Sequence, residues 1–152
     1  MRISRDDLYL QMAALLAKRT TCVRRGVGCV LVDPDGYVLA TGYNGVAAGM
    51  PHCNAVIHTL QSGHHHPHAC PAAFAASGTQ LDGCEAIHAE QNAIMRVGDI
   101  RKIHTCYTTV SPCMTCTKLL LGTACQRIVF AVEYPHAQSA RELWQRAGRT
   151  WG

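Results

Sequence analysis

Two short stretches decide the fold and the chemistry of this sequence: His88-Ala89-Glu90 and Pro112-Cys113-Met114-Thr115-Cys116. Cys113 and Cys116 are three residues apart, so their side chains share one face of a helix. The preceding proline is typical of a position at or just before a helix's first turn. Both thiols therefore lie near a helix N-terminus, where the dipole favours thiolate. His88 begins another predicted helix and can add an imidazole.

Two thiolates and one imidazole are the ligands of a catalytic zinc, because a tetrahedral ion then keeps one position for water. Zinc with two thiolates is formally neutral and acidifies water weakly, so a nearby base is needed. Glu90, two residues from His88, is predicted to be the general acid and base. The order H-x-E then P-C-x-x-C is similar to the signature of the zinc-dependent deaminases. P-C-x-x-C alone would equally allow a closed structural zinc site.

Composition favours a single compact domain over residues 1–152, with 48% hydrophobic and 16% charged residues. No apolar run approaches the roughly 20 residues of a membrane span, and the first residues lack the layout of a secretory signal. Nine cysteines, an odd number, fit metal binding and free thiols in a reducing compartment. We therefore expect a cytoplasmic protein. A net charge of +4 suits a small anionic substrate and does not argue for nucleic acid.

The apolar pattern alternates helices with strands. The first helix is predicted to have Ser4 and Asp7 as a capping pair and an apolar face of Leu8, Met12, Leu15 and Leu16. The predicted elements are a helix over 6–19, a hairpin over 27–43 with its turn at 33–36, a helix from about 87, a strand over 105–110, a helix over 113–121, a strand over 127–132 and a helix over 137–147. This order predicts a sheet covered by helices in α/β layering.

The sequence resembles the deoxycytidylate (dCMP) deaminase family in several blocks spread over residues 20–132. His rather than Cys in H-A-E separates it from free-cytidine deaminases. The G-Y-N-G block with H-A-E-x-N-A-I favours dCMP deaminases over tRNA adenosine, guanine and riboflavin-pathway relatives. The blocks are Thr21-Cys22, Val27-Gly28-Cys29, Gly42-Tyr43-Asn44-Gly45, His88-Ala89-Glu90-Gln91-Asn92-Ala93-Ile94 and Ser111-Pro112-Cys113-Met114-Thr115-Cys116.

This resemblance implies hydrolytic conversion of dCMP to dUMP, which feeds thymidylate synthesis. It implies the cytidine-deaminase-like fold, a three-layer α/β/α arrangement around a central five-stranded mixed sheet. It also implies a homo-oligomer, often a hexamer, activated by dCTP and inhibited by dTTP, with no membrane or nucleic-acid partner. After Gly45 the chain reads Val46-Ala47-Ala48-Gly49 where many members have a Pro-containing turn, and effector control has been linked to that loop.

By the same resemblance, Asn44 is expected to touch the nucleotide, and the backbone at Ala89 and around Ser111 to hold the pyrimidine edge. Tyr134 resembles the family's late Tyr near the substrate. For the phosphate, a planar guanidinium suits bidentate contact. The available arginines are the pair Arg24 and Arg25, which could equally be a solvated surface, and Arg96, which follows the H-A-E helix face.

Residues 46–84 have no clear periodicity and form an insertion that we expect a second metal to stabilise. The segment contains six of the nine histidines and three cysteines. Several microbial and viral dCMP deaminases carry a structural zinc in the corresponding loop. The expected ligands are Cys22, Cys53, Cys84 and either Cys70 or His68; the alternative is a mobile loop with reduced thiols. Cys29, Cys106 and Cys125 are expected to be buried small hydrophobes.

Two other functions remain open. One is the same metal chemistry on modified dCMP, on dCTP or on a tRNA base. Arg141, Arg146 and Arg149 hint at the basic C-terminal helix that the tRNA reaction prefers, although Glu142 interrupts them. The other is a non-enzymatic zinc module that binds nucleic acid or a protein. Such a module needs no carboxylate beside a ligand, yet Glu90 is present.

Overall fold

The computed structural model describes residues 1–22, 24–53, 72, 75–76, 78–79 and 83–152. His68 and Cys70 lie outside the described residues. The described helices are α1 (Arg5–Ala17), α2 (Ala89–Ile94), α3 (Met114–Leu121) and α4 (Gln138–Arg146), with a 3-10 turn at Ile100–Lys102. The strands are β1 (Gly28–Val32), β2 (Val38–Tyr43), β3 (Thr105–Val110), β4 (Arg127–Val132) and β5 (Thr150–Trp151).

The strands form one mixed sheet in the order β2-β1-β3-β4-β5. Strand β1 runs antiparallel to β2 and β3, whereas β3, β4 and β5 are parallel. The five-stranded mixed sheet is confirmed. The apolar pattern itself predicted only four strands, because the two residues of β5 are too few to show alternation.

Helices cover both faces of the sheet, which confirms the three-layer arrangement. On one face Val30 and Val32 of β1 pack with Tyr9 and Ala13 of α1. On the other face, Cys29 and Leu31 of β1 pack in a core with residues of α2, α3 and α4. This core includes Ala93, Leu120 and Trp144. Every residue of β1 is buried, as expected of a strand covered on both faces. Cys29, Cys106 and Cys125 are fully buried, as predicted.

The predicted apolar face of α1 is partly wrong. Ser4 caps the helix and accepts a hydrogen bond from the Asp7 N–H, as predicted. However, Leu8 and Leu15 are exposed, and the buried positions are Tyr9 and Ala13. The helix lies close to β1 at the small residue Ala13. The face of α1 that contacts the sheet therefore does not include Leu8 or Leu15.

The first residues of α2 and α3 meet at one edge of the sheet. Because β1 is antiparallel to its two neighbours, its N-terminal end lies beside the C-terminal ends of β2 and β3. The parallel β4 ends at the same edge. Within the described ranges, no helix has the length and apolar content that a bilayer crossing requires.

Candidate active site

His88, Cys113 and Cys116 form a compact group at this edge. The Nδ1 atom of His88 lies 3.5 Å from the Cys113 sulfur and 3.3 Å from the Cys116 sulfur. All three donor atoms lie within 4.8 Å of one another. Cys113 is the N-cap of α3, and His88 is the N-cap of α2. The two predicted helix starts therefore bring their side chains to one point.

The donor set fits zinc. With Zn–N of about 2.0 Å and Zn–S of about 2.3 Å, a tetrahedral ion holds nitrogen and sulfur about 3.5 Å apart, close to the distances between His88 and the two cysteines. Among the residues that the structure describes, no fourth His, Cys, Asp or Glu joins this group. Three ligands are the number expected of a catalytic rather than a structural zinc.

The two thiols have opposite pKa shifts. The pKa of Cys113 falls from 9.0 to about 4, first because of its hydrogen bond with the Cys116 side chain and also because of His88. That same hydrogen bond, followed by burial, raises the pKa of Cys116. Zinc binding would require both sulfurs as thiolates, so it would be coupled to the release of thiol protons.

Glu90 is a buried acid beside the metal group. Its side chain lies near that of Cys116, and the residue is 4% exposed. Burial is the main reason that its pKa lies above the ordinary value, and the charge of Cys113 adds to the rise. A carboxyl group whose pKa is raised by burial is suited to exchange protons near neutral pH.

The G-Y-N-G block holds His88 in place. Ile87, just before it, pairs with Gly45 through reciprocal backbone hydrogen bonds of 2.8 and 3.0 Å. The Asn92 amide donates to the Tyr43 carbonyl at 2.9 Å. Gly42 allows α2 to lie against β2, because a Cβ there would be 2.3 Å from the Ala89 carbonyl oxygen. This block therefore acts first as a support for the start of α2.

Two supporting residues were missed from the sequence, Gln91 and Asn92. The Gln91 side-chain oxygen accepts a hydrogen bond from the His88 N–H at 2.8 Å, and Asn92 binds Tyr43 as described. Both belong to the H-A-E-Q-N stretch, in which Gln91 has the N3 position of a capping box relative to His88. That spacing is the signal for the capping role.

Asn44 is buried, and both the oxygen and the nitrogen of its side-chain amide form hydrogen bonds within the protein. The oxygen accepts from the Val27 N–H at 2.8 Å and from the Thr20 hydroxyl at 2.7 Å. The nitrogen donates to the Arg25 carbonyl at 2.6 Å. Asn44 thus ties the loop before β1 to the end of β2. Contact with a nucleotide stays a prediction.

Ser111 and Tyr134 are hydrogen-bonded to each other just after the C-terminal ends of β3 and β4. The Tyr134 N–H donates to the Ser111 hydroxyl at 2.7 Å, and Ser111 is two residues before Cys113. Ala89, also predicted to contact substrate, is fully buried next to Glu90. The residues predicted to hold the pyrimidine therefore share the edge of the sheet where the metal group lies.

The three arginines that were predicted to bind phosphate lie in different surroundings. Arg24 donates to the Ala76 carbonyl at 2.7 Å, and Arg25 is exposed. Arg96 donates to the Asn92 carbonyl at 2.7 Å and lines a cavity of about 1060 Å³. This cavity also contains Lys18, Arg19 and His52. Its described lining includes no carboxylate and none of the three metal-group residues.

The predicted second metal site is only partly described. Cys53 is buried, and Cys84 packs in the same small cluster. Cys22 is half-buried and follows α1. Within the described part of the chain these thiols do not form a three-donor group. His68 and Cys70, the alternatives for the fourth ligand, fall outside it.

Comparison with known proteins agrees with this site. Residues 3–132 match the family described as "Cytidine and deoxycytidylate deaminase zinc-binding region". The chain is 36% identical over 151 residues to a deoxycytidylate deaminase of Schizosaccharomyces pombe, covering 97% of this chain and 43% of that protein. It is 33% identical over 131 residues to the deoxycytidylate deaminase of Mycobacterium phage D29, covering 84% of this chain and 94% of that protein.

A solved structure of cyanophage S-TIM5 dCMP deaminase in complex with dCMP and dUMP shares the fold. Its TM-score is 0.70 at 23% identity, covering 100% of this chain and 98% of that one. This chain spans less than half the length of two curated relatives. It covers 43% of the Schizosaccharomyces pombe protein and 45% of a deoxycytidylate deaminase of Saccharomyces cerevisiae.

Proposed function

The chain belongs to the cytidine and deoxycytidylate deaminase family, and from that premise we propose that it hydrolyses dCMP to dUMP and ammonia with a catalytic zinc. The observation that carries this proposal is the His88, Cys113 and Cys116 group with the buried carboxyl group of Glu90 beside it. A structural zinc module has no use for such a carboxyl group.

The three metal ligands and Glu90 have different roles in the reaction. Zinc held by His88, Cys113 and Cys116 would supply the Lewis acidity that makes water a better nucleophile near neutral pH. Glu90 accepts one proton from the attacking water and passes it to the ring nitrogen. The second proton of that water reaches the amino group through the same carboxyl group, so that ammonia leaves and the carbonyl of uracil remains.

For the substrate, we propose dCMP, which the names of the relatives above support. Ala89 and Ser111 would hold the pyrimidine through their backbone and Tyr134 would lie beside it, since all three share the edge of the sheet with the metal group. Asn44 would act on the nucleotide mainly through the loop that it ties. Arg25 is exposed just before β1 at this same edge and is the proposed source of the phosphate contact.

A panel of substrates tests the function. The zinc-loaded protein should release ammonia from dCMP, with lower kcat/KM for deoxycytidine, dCTP and tRNA. Preference for dCTP or a 5-substituted dCMP would place the chain with a related deaminase. No ammonia from any of them, with zinc bound, would favour a non-enzymatic zinc module and contradict the proposal.

The tRNA alternative loses support from the C-terminal helix. Arg141 is paired with Glu133 at 2.9 Å. Arg149 is turned inward, where it donates to carbonyl groups that include those of Thr123 and Cys125. Only Arg146 of the three suggested arginines is exposed and outside the described ion pairs. This helix therefore offers little positive charge to a phosphate backbone.

We also propose a second, structural zinc bound by Cys22, Cys53, Cys84 and one of Cys70 or His68. The packing of Cys53 with Cys84 supports it. Thiolate ligands of this kind fit a reducing compartment, and we propose a cytoplasmic location.

An effector site for dCTP and dTTP is proposed in the cationic cavity. Lys18, Arg19 and Arg96 line it, and three cations with no carboxylate among the described lining residues suit a triphosphate. We therefore assign Arg96 to this cavity rather than to the substrate phosphate. In activity assays dCTP should activate and dTTP should inhibit. Arg19→Ala should weaken both responses, whereas Arg146→Ala should keep them.

The proposed assembly is a homo-oligomer, with six chains as the expected number. The exposed apolar side chains of Met114 and Leu119 on α3 support self-association, because an interface would remove them from water. Light scattering on the zinc-loaded protein should give the mass of six chains. The mass of a single chain at assay concentrations would contradict this assembly.

A further inference from the structure

Arg24 holds a turn that contacts the active-site edge. The described residues Ala76, Gly78 and Thr79 belong to this turn, here called the bridging turn, which is closed by a 3.1 Å hydrogen bond from the Thr79 N–H to the Ala76 carbonyl. The Arg24 guanidinium donates to the same carbonyl at 2.7 Å. A charged donor makes this one of the stronger hydrogen bonds between distant segments.

The other side of the bridging turn rests on Tyr134 and His136. Gly78 has a φ of 77°, and a Cβ there would lie 2.9 Å from the His136 ring and 3.2 Å from the Tyr134 hydroxyl oxygen. The two rings meet edge-on, with centroids 5.3 Å apart. Glycine is therefore required both by the backbone conformation and by the closeness of these side chains.

The bridging turn spans the end of β3. Arg24 precedes β1 and Tyr134 follows β4, and β3 lies between these strands in the sheet. At the end of β3, Ser111 accepts the Tyr134 N–H, and the metal group begins two residues later. The turn thus links the segment before β1 to the segment after β4, on the two sides of β3.

We propose that Arg24 is a positioning residue, which acts through the bridging turn to fix Tyr134 and His136 beside the metal group. This inference rests on the proposed function and deepens it. If Arg24 bound the phosphate directly, its contribution to activity would be independent of Gly78. If Arg24 acts through the bridging turn, its contribution depends on Gly78. Loss of the Arg24 hydrogen bond, or a Cβ at position 78, would displace the same turn from Tyr134 and His136.

A double-mutant cycle with the zinc-loaded protein tests this dependence. Arg24→Ala and Gly78→Ala should each lower kcat/KM for dCMP by about tenfold, mostly through KM, with bound zinc unchanged. The double variant should be no worse than the more impaired single variant. Arg24→Lys, which keeps a donor for the Ala76 carbonyl, should recover most of the loss. Multiplied effects in the double variant would overturn the proposal.

A second measurement does not depend on turnover. Hydrogen exchange at the Tyr134 amide should become faster in Arg24→Ala and in Gly78→Ala, and stay unchanged in Arg146→Ala, an exposed arginine on α4. Unchanged exchange in the first two variants would overturn the proposal that Arg24 acts through the bridging turn. Wild-type protein that fails to deaminate dCMP would instead contradict the proposed function, so the two failures are distinguishable.

Discussion

The Nδ1 atom of His88 lies 3.3 Å from the Cys116 sulfur, although 28 residues separate them in the chain. His88 is the N-cap of α2, and Cys116 belongs to the first turn of α3. The metal group therefore depends on how closely α2 and α3 approach the sheet edge. Substitutions that shift either helix should affect metal binding without touching a ligand.

Gly42→Ala should lower zinc content and thermal stability together. The added Cβ would meet the Ala89 carbonyl oxygen, so α2 must move and carry His88 with it. Overpacking of this kind typically costs about 1–3 kcal/mol. Metal analysis and thermal unfolding measure both effects. Gly98→Ala is the matched control, because nothing lies within 4 Å of a Cβ there; equal losses in both variants would contradict the account.

Asn44→Ala should destabilise the protein. It removes the partners of the Val27 N–H and the Arg25 carbonyl; both bonds are part-buried, so each should contribute about 0.5–1.5 kcal/mol. Urea unfolding measures the loss, with Gln126→Ala, an exposed amide, as the control. Unchanged stability with a raised KM for dCMP would show instead that Asn44 acts on the nucleotide alone.

The sequence predicted the elements and the chemistry better than the contacts between elements. Periodicity and capping located α1 and the strands of the hairpin, and ligand spacing identified His88 with the two cysteines. Which face of α1 is buried could not be predicted, because it depends on the close approach of Ala13 to the sheet. Likewise, the partners of Asn44 and Arg24 lie in distant segments, and nothing in the local pattern identifies them.

Asp6→Asn should reduce stability at neutral pH, and the difference from wild type should vanish in acid. Asp6 accepts hydrogen bonds from Arg127 and Tyr107, and chiefly the bond with Arg127 holds its pKa below the ordinary 3.8. A lowered folded-state pKa adds stability above pH 3.8, which is lost as the pH falls through the folded value.

The size of that effect should be modest, since the two ion-pair side chains are 35% and 37% exposed. Denaturant midpoints across the acid range measure it, with Asp35→Asn in the exposed hairpin turn as the control. A difference that persists unchanged well below pH 3.8 would mean that the Asp6 carboxylate is not the cause.

Zinc stoichiometry separates the two proposed metals. The wild-type chain should bind two equivalents, and Cys113→Ala should bind one and lose activity. Cys84→Ala should also lose one equivalent, together with thermal stability, because that metal would order the insertion. One equivalent in wild type and none in Cys113→Ala would contradict the structural zinc while leaving the catalytic site intact.

Turnover and metal content of Glu90→Gln, measured side by side with wild type, test the central claim most directly. Glutamine keeps the size of the side chain but cannot exchange protons. The account predicts that this variant binds as much zinc as wild type and converts dCMP to dUMP at least about a hundredfold more slowly. A zinc-loaded Glu90→Gln protein that retains most of the wild-type rate would contradict it.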